Sequence, residues 1–189
     1  LRSALFLDRD GTINVDTIHV SNAANVRLLP GAAEAIARIN AVQLPVIVIS
    51  NQSGIGRGLF TVDDYESVRA RIDEMLAAAG ARLLTTYYCP HSPDVAPVCE
   101  CRKPGPALYR QAAAEHAIDL ARSWYVGDRL RDIQPAKTFG GRGILVPRDT
   151  TPGVNVVAAR DGFAISTSLS AAVDRILSSL PLSTPPGDG

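Results

Sequence analysis

Short apolar runs rich in β-branched and aromatic residues alternate along this chain with stretches of helical periodicity, and that alternation admits few folds. Runs at 4–8, 45–50, 83–88, 123–126 and 143–146, bounded by turn formers, read as strands, with a further short one at 163–165. Between them 31–41, 62–79 and 106–116 read as helices, a shorter helix is expected after Asp132, and 169–180 reads as the last. In the second helix Val68, Ile72, Met75 and Leu76 recur at helical spacing, which marks a core-facing stripe, and Gly80 supplies a stop. Strand–helix alternation of this kind predicts an α/β domain with a central, mainly parallel sheet flanked by helices. At 189 residues the chain suits one such domain with a substantial core. No internal repeat or interdomain linker is visible, so 1–180 is expected to be a single domain. The tail 181–189 has too much proline, glycine and serine to pack and is expected to be disordered.

Open α/β sheets bind ligands beyond the carboxyl ends of their strands, so the residues that follow each strand carry the functional reading. The first strand, Leu5-Phe6-Leu7, runs into Asp8-Arg9-Asp10-Gly11-Thr12. Alternate residues of extended backbone share one side, so Asp8 and Asp10 can act at one point, where paired carboxylates suit a magnesium ion, a nucleophile and a proton donor. Two turn-capping aspartates would look the same in isolation; three later segments favour chemistry. The second strand ends in Ser50-Asn51-Gln52-Ser53-Gly54, a hydroxyl, an amide and a flexible glycine turn that, with free backbone N–H donors, suit phosphate oxygens. Cys101-Arg102-Lys103-Pro104-Gly105-Pro106 places two cations ahead of a helix, where lysine can neutralise phosphate charge and arginine can bind it bidentately. Trp124-Tyr125-Val126 ends in Gly127-Asp128-Arg129-Leu130-Arg131-Asp132, and Asp128 is a candidate magnesium ligand. Asp132 either supports that site from behind or caps the next helix.

Acidic and basic residues balance at 19 each, so no global charge points to nucleic acid or membrane, and an anionic substrate must be held by local cations. No apolar run reaches membrane-spanning length, and the N-terminus lacks the pattern of a secretory signal. The numbering opens at Leu1, as it would with an initiator methionine or short leader missing.

All three cysteines fall within 89–101. Cys89-Pro90-His91 followed by Cys99-Glu100-Cys101 offers three thiolates and an imidazole, a complete tetrahedral zinc set. With every position filled by protein, such a zinc is structural and folds a proline-rich loop that has little apolar material of its own. The competing reading is a redox pair at Cys99 and Cys101 with Cys89 a buried thiol. A zinc-ribbon nucleic-acid module fits poorly, because basic and stacking residues are sparse around the loop. An odd cysteine count suits a reducing, cytoplasmic setting better than a disulfide framework.

The ordered set Asp-x-Asp-Gly-Thr, strand-Ser-Asn, Lys-Pro and Gly-Asp-x-x-x-Asp resembles the haloacid dehalogenase superfamily. The Cys-x-His…Cys-x-Cys loop before Arg-Lys-Pro, with Asp-Arg-Asp-Gly-Thr-Ile-Asn and Ser-Asn-Gln-Ser-Gly-Ile-Gly-Arg-Gly, further resembles the D-glycero-D-manno-heptose 1,7-bisphosphate phosphatases and the related histidinol-phosphate phosphatases. The resemblance implies a Rossmann-like three-layer fold without a large cap, so that loops at 14–28, 52–59 and the zinc loop shape the pocket. It implies a magnesium-dependent phosphoric monoester hydrolase of carbohydrate metabolism that takes the C7 phosphate from a heptose bisphosphate, with histidinol phosphate as the alternative substrate. Asp8 would be the nucleophile that forms an aspartyl-phosphate, and Asp10 the acid and then the base. Ser50, Asn51 (through its backbone) and Lys103 would hold the transferring phosphoryl group. Asp8, the Asp10 carbonyl and Asp128 would bind Mg2+. A bisphosphate needs further cations, for which Arg102 and Arg57 are the candidates, both also readable as surface residues. After Asn14, where the family carries Gly-Tyr, this chain reads Val15-Asp16-Thr17-Ile18-His19-Val20; His19 either replaces the tyrosine at the pocket rim or is an exposed loop histidine. The partner implied is a small phosphorylated sugar, with no nucleic acid or membrane and the protein a monomer.

Overall fold

The computed structural model describes residues 1–16, 20–94, 99–148 and 153–180 of the chain. Six strands, β1 (Leu5–Leu7), β2 (Val46–Asn51), β3 (Thr85–Cys89), β4 (Trp124–Gly127), β5 (Arg142–Leu145) and β6 (Ala164–Ile165), form one sheet in the order β3-β2-β1-β4-β5-β6. Every pairing is parallel. The helices are α1 (Ala32–Ala41), α2 (Ser53–Gly56), α3 (Val62–Ala78), α4 (Ala107–His116), α5 (Leu130–Ile133), α6 (Pro135–Phe139), α7 (Val154–Arg160) and α8 (Leu169–Ser179).

Strand periodicity sorts the core into two halves. Leu5, Leu7, Val46, Val48, Trp124, Val126 and Ile144 face one side, against Ile36 and Ile39 of α1, Val68, Ile72 and Leu76 of α3, and Val173 and Ile176 of α8. Phe6, Ile47, Ile49, Tyr125 and Leu145 face the other, against Leu108, Tyr109 and Ala112 of α4, Ile133, Ala136, Val154 and Ala158. The result is the three-layer arrangement expected. Phe6 stacks on Tyr125 at 5.2 Å and meets Tyr109 edge-on at 5.3 Å, so the central strand is gripped by aromatic rings on that side.

Local chemistry sets the helix ends. Thr61 accepts the Asp64 N–H at 3.1 Å while the Asp64 carboxylate accepts the Thr61 N–H at 2.8 Å, a capping box that starts α3. Gly80, at φ +72°, lets the chain leave that helix. Met75 is half-buried beside the stripe of Val68, Ile72 and Leu76. The short helix placed after Asp132 instead begins at Leu130 and contains it, because the Asp132 carboxylate accepts the Arg129 N–H at 2.9 Å; α6 then follows. Helices α2 and α7 are additions to the sequence-based expectation. Residues 154–157 are rich in valine, a poor helix former, and α7 is held by burial of Val154 and Ala158.

Register decides what meets at the carboxyl edge. Leu7 pairs with Val48 on one side and Val126 on the other, so Asp8 and Asp128 leave the sheet near one height, while β2 runs on to carry Ser50 and Asn51 past them. The order of strands reverses between β1 and β4, and such a switch point leaves a crevice. No helix among the described residues is long and apolar enough to cross a membrane. His19 and the tail 181–189 lie outside the described residues.

Candidate active site

At the switch point the cleft has a volume of about 180 Å³ and is lined by Asp8, Asp10, Ser50, Asn51, Arg129 and Arg131 among others. Its floor is a knot of charge. Lys103 is 3% exposed, and its Nζ lies 2.5 Å from Asp8 Oδ1 and 2.8 Å from Asp132 Oδ1. The carboxylates of Asp8, Asp128 and Asp132 offer oxygens that all lie within 4.8 Å of one another. One lysine cannot balance three such groups. Burial, with the neighbouring Asp132 charge, pushes the Asp8 carboxyl up to about 7 against the opposing pull of Lys103. Burial and Asp132 likewise lift Asp128 to about 6. Burial works against the Lys103 charge too, but Asp132 and Asp8 outweigh it and hold the ammonium above its usual range.

This knot fits a divalent cation. Asp128 Oδ1 is buried and has no hydrogen-bond partner, and an oxygen-rich acidic set suits magnesium. Close approach is built into the backbone. Gly11 has φ +89°, and a Cβ there would fall 2.6 Å from Asp128 Oδ2 and 2.5 Å from Arg148 Nη1. At Gly127 a Cβ would strike the Asp132 side chain.

Asp10 lives in a different environment. Arg9 Nε donates to both of its oxygens at 3.1 Å and Arg9 Nη2 to Oδ2 at 2.8 Å. Asn14 Nδ2 donates to Oδ1 at 2.9 Å and Gln52 Nε2 to Oδ2 at 2.8 Å. Burial raises the carboxyl, but the Arg9 charge and these donors prevail and hold it below the usual carboxylate range. Arg9 is itself buried, with its guanidinium 5.2 Å from the Tyr65 ring centre. Gln52 also donates to Ser50 Oγ at 2.7 Å, which leaves the Ser50 O–H free to donate into the cleft. The Asn51 side chain clamps the Lys103 backbone, accepting its N–H at 2.9 Å and donating to its carbonyl at 3.3 Å.

Asp8, Asp10, Ser50, Lys103 and Asp128 therefore converge, and Asp132 serves in both of its anticipated roles, as ion-pair partner and as helix cap. The outer cations are placed differently. Arg102 sits beside the cysteine loop, with Nη1 3.4 Å from the His91 carbonyl. Arg57 bonds Asp94 at 2.5 Å and Ser92 Oγ at 3.1 Å, so its charge is already matched. Arg9, Asn14 and Gln52 are not singled out as site residues by sequence reasoning, although all three belong to the quoted motifs. Also unanticipated is a cluster at the rim: Arg148 Nη1 lies 3.2 Å and Arg129 Nη2 3.7 Å from Asp16 Oδ2.

Next to this cleft, Cys89, His91, Cys99 and Cys101 turn their ligand atoms to one point, all within 4.8 Å of one another. Their sulfurs lie 3.0–3.6 Å apart, and His91 Nδ1 is 3.2 Å from Cys101 Sγ. The three thiols are free of disulfides. Four convergent soft donors fit a tetrahedral zinc. Residues 95–98 of the loop lie outside the described residues.

The HAD-hydrolase-like family matches residues 100–172. The D-glycero-β-D-manno-heptose-1,7-bisphosphate 7-phosphatase of Yersinia pestis is 37% identical over 183 residues, covering 94% of this chain and 90% of that protein. Its counterpart from Pseudomonas aeruginosa is 36% identical over 179 residues, covering 93% and 98%. Among solved structures, D,D-heptose 1,7-bisphosphate phosphatase from B. bronchiseptica, complexed with magnesium and phosphate, superposes with a TM-score of 0.83 at 33% identity, covering 94% of this chain and 99% of that one.

Proposed function

This chain belongs to the haloacid-dehalogenase-like heptose-bisphosphate phosphatases, and from that premise we propose that it hydrolyses the C7 phosphate of D-glycero-D-manno-heptose 1,7-bisphosphate and leaves the C1 phosphate on the product. The observation that carries the reading is Lys103, buried between Asp8 and Asp132, with Asp128 beside them, under a cleft that also receives Asp10 and Ser50. Asp8 and Asp128, with the Asp10 carbonyl, would hold Mg2+, which when bound neutralises charge on the phosphoryl oxygens. The Cys89, His91, Cys99 and Cys101 set would hold a structural Zn2+ that shapes the pocket wall.

An Asp8 carboxylate oxygen attacks phosphorus, the bond from phosphorus to the sugar oxygen breaks, and Asp10 gives that oxygen a proton. A water then attacks the aspartyl-phosphate, Asp10 takes the water's proton, and Asp8 is released with inorganic phosphate. Ser50 and Lys103 donate to the phosphoryl oxygens throughout, positioning and neutralising a group that needs little else. Arg9, Asn14 and Gln52 favour Asp10 as carboxylate, the form needed for the second step. For the first step, the negative phosphate arriving beside Asp10 opposes that bias and favours its protonated form.

The test is phosphate release, with magnesium, from the α- and β-anomers of the heptose bisphosphate beside histidinol phosphate. The reading expects a kcat/KM for a heptose anomer well above that for histidinol phosphate. A preference for histidinol phosphate would overturn the substrate while leaving the mechanism in place.

A further inference from the structure

The two carboxylate oxygens of Asp128 have unlike surroundings. Oδ1 is buried and has no hydrogen-bond partner. Oδ2 is hemmed in. The Gly11 backbone passes so close that a Cβ there would fall 2.6 Å from this oxygen. The guanidiniums of Arg148 and Arg129 approach it as well, with their Nε atoms at 3.7 and 3.9 Å. Arg148 is the nearer of the two and the less exposed, at 28% against 44%.

Arg148 is itself fixed in that place. Its Nη1 lies 3.2 Å from Asp16 Oδ2. Its side chain also crosses Gly11, where a Cβ would meet Arg148 Cδ at 2.9 Å and Nη1 at 2.5 Å, so the passage depends on glycine. Arg148 comes from the chain after β5, Asp16 from the chain after β1, and Asp128 directly follows β4. The ion pairs therefore tie three strand ends together around one oxygen of a candidate metal ligand. Divalent cations differ in what they ask of such a carboxylate. Mg2+ is small, keeps octahedral geometry and retains waters, whereas Ca2+ takes more oxygens and accepts both from one carboxylate. A carboxylate with one oxygen enclosed suits Mg2+ and denies Ca2+ a bidentate ligand.

We infer that Arg148, anchored on Asp16, is a positioning residue that keeps Asp128 a one-oxygen ligand and so biases the site toward Mg2+ over Ca2+. This rests on the reading of Asp128 as a Mg2+ ligand. Arg148 acts through Asp128, as residues behind metal ligands do when they fix the orientation of a ligating group. Its charge has a separate effect, because a cation near the site repels Mg2+ and Ca2+ alike. That effect cancels in the ratio of the two affinities.

The test measures Mg2+ and Ca2+ affinities from the rise in Tm as each ion is titrated into the zinc-loaded protein. Wild type is compared with Arg148→Ala, Arg148→Lys and Asp16→Asn. Arg148→Ala is expected to shift the ratio of the two affinities toward Ca2+ by about tenfold or more, the scale on which partners behind the ligands tune metal affinity. Arg148→Lys, which keeps a cation beside Oδ2, should shift the ratio less. Asp16→Asn, which loosens the anchor, should shift it in the same direction. An equal change in both affinities would overturn the inference, since lost charge and a general loosening of the site act on both ions alike. A ratio unmoved in Arg148→Ala, or moved toward Mg2+, would overturn it as well, with Asp128 still the ligand. A wild type whose Tm does not respond to Mg2+ would refute the ligand reading and this inference with it.

Discussion

Replacing Lys103 by methionine isolates the electrostatic element on which the site depends. Methionine retains much of the unbranched apolar stem, so the change removes a buried charge while limiting the cavity it leaves. What remains is Asp8, Asp128 and Asp132 with oxygens within 4.8 Å of one another and no ammonium at 2.5 and 2.8 Å from two of them. Removing one member of a buried ion pair costs about 3–5 kcal/mol. Protonation limits the loss, because Asp8 already sits near 7 and is driven higher when its cation goes. For a domain of this size the expected fall in Tm is about 6–20 °C. Magnesium should restore more stability to the variant than to the wild type, since the variant site has lost one positive charge and the folded state alone presents it. The assay is urea or thermal unfolding of protein exchanged into magnesium-free buffer without chelator, which would strip zinc, followed by magnesium titration. Activity should fall by about 10²–10³ or more. A variant within about 1 kcal/mol of wild type, a small surface-like effect, with Tm indifferent to magnesium, would refute the claim that Lys103 balances coupled carboxylates.

Asp10→Asn should lower kcat by about 10²–10⁴, the range for a lost acid–base group, with KM little changed; steady-state kinetics on the heptose bisphosphate reads it. The purified chain should contain one zinc, and Cys101→Ser should lose that zinc and melt lower; elemental analysis showing wild type free of zinc, with all three thiols reactive, would contradict the cluster's role. Thr61→Ala should cost about 1 kcal/mol by uncapping α3, read by urea unfolding. Its partner Asp64 is held below the usual carboxylate range by the Thr61 N–H and hydroxyl. A depressed folded pKa contributes stability above the unfolded pKa and loses it as pH falls through the folded one. The stability gap between wild type and Asp64→Ala should therefore close as pH is lowered through the acid range.

Residues whose role follows from where a strand stops are legible in the amino-acid sequence itself. Asp8, Ser50 and Asp128 each follow or end an apolar run, and parallel pairing brings such ends to one edge. The cysteine and histidine positions are legible because so compact a donor set has few alternative uses. Arg9 is hidden for a geometric reason. Strand alternation points it away from Asp10, but β1 stops at Leu7, so the alternation lapses before residues 9 and 10 and the two side chains meet. Arg148 is hidden because its meaning lies in the carboxylates that folding brings to it, Asp16 and Asp128. Helix α7 is hidden too, because a valine-rich segment has no helical preference of its own and depends on tertiary burial. Asp132 resists a choice between support and cap because its two carboxylate oxygens do one task each.

The most direct test of the central claim, phosphoryl transfer through Asp8, is peptide mass analysis of wild type and Asp8→Asn after rapid acid quench during magnesium-supported turnover of the bisphosphate. The account predicts a phosphoryl group on Asp8 in wild type, with neither label nor turnover in Asp8→Asn. Turnover by Asp8→Asn at near the wild-type rate, or a label on another residue, would contradict it.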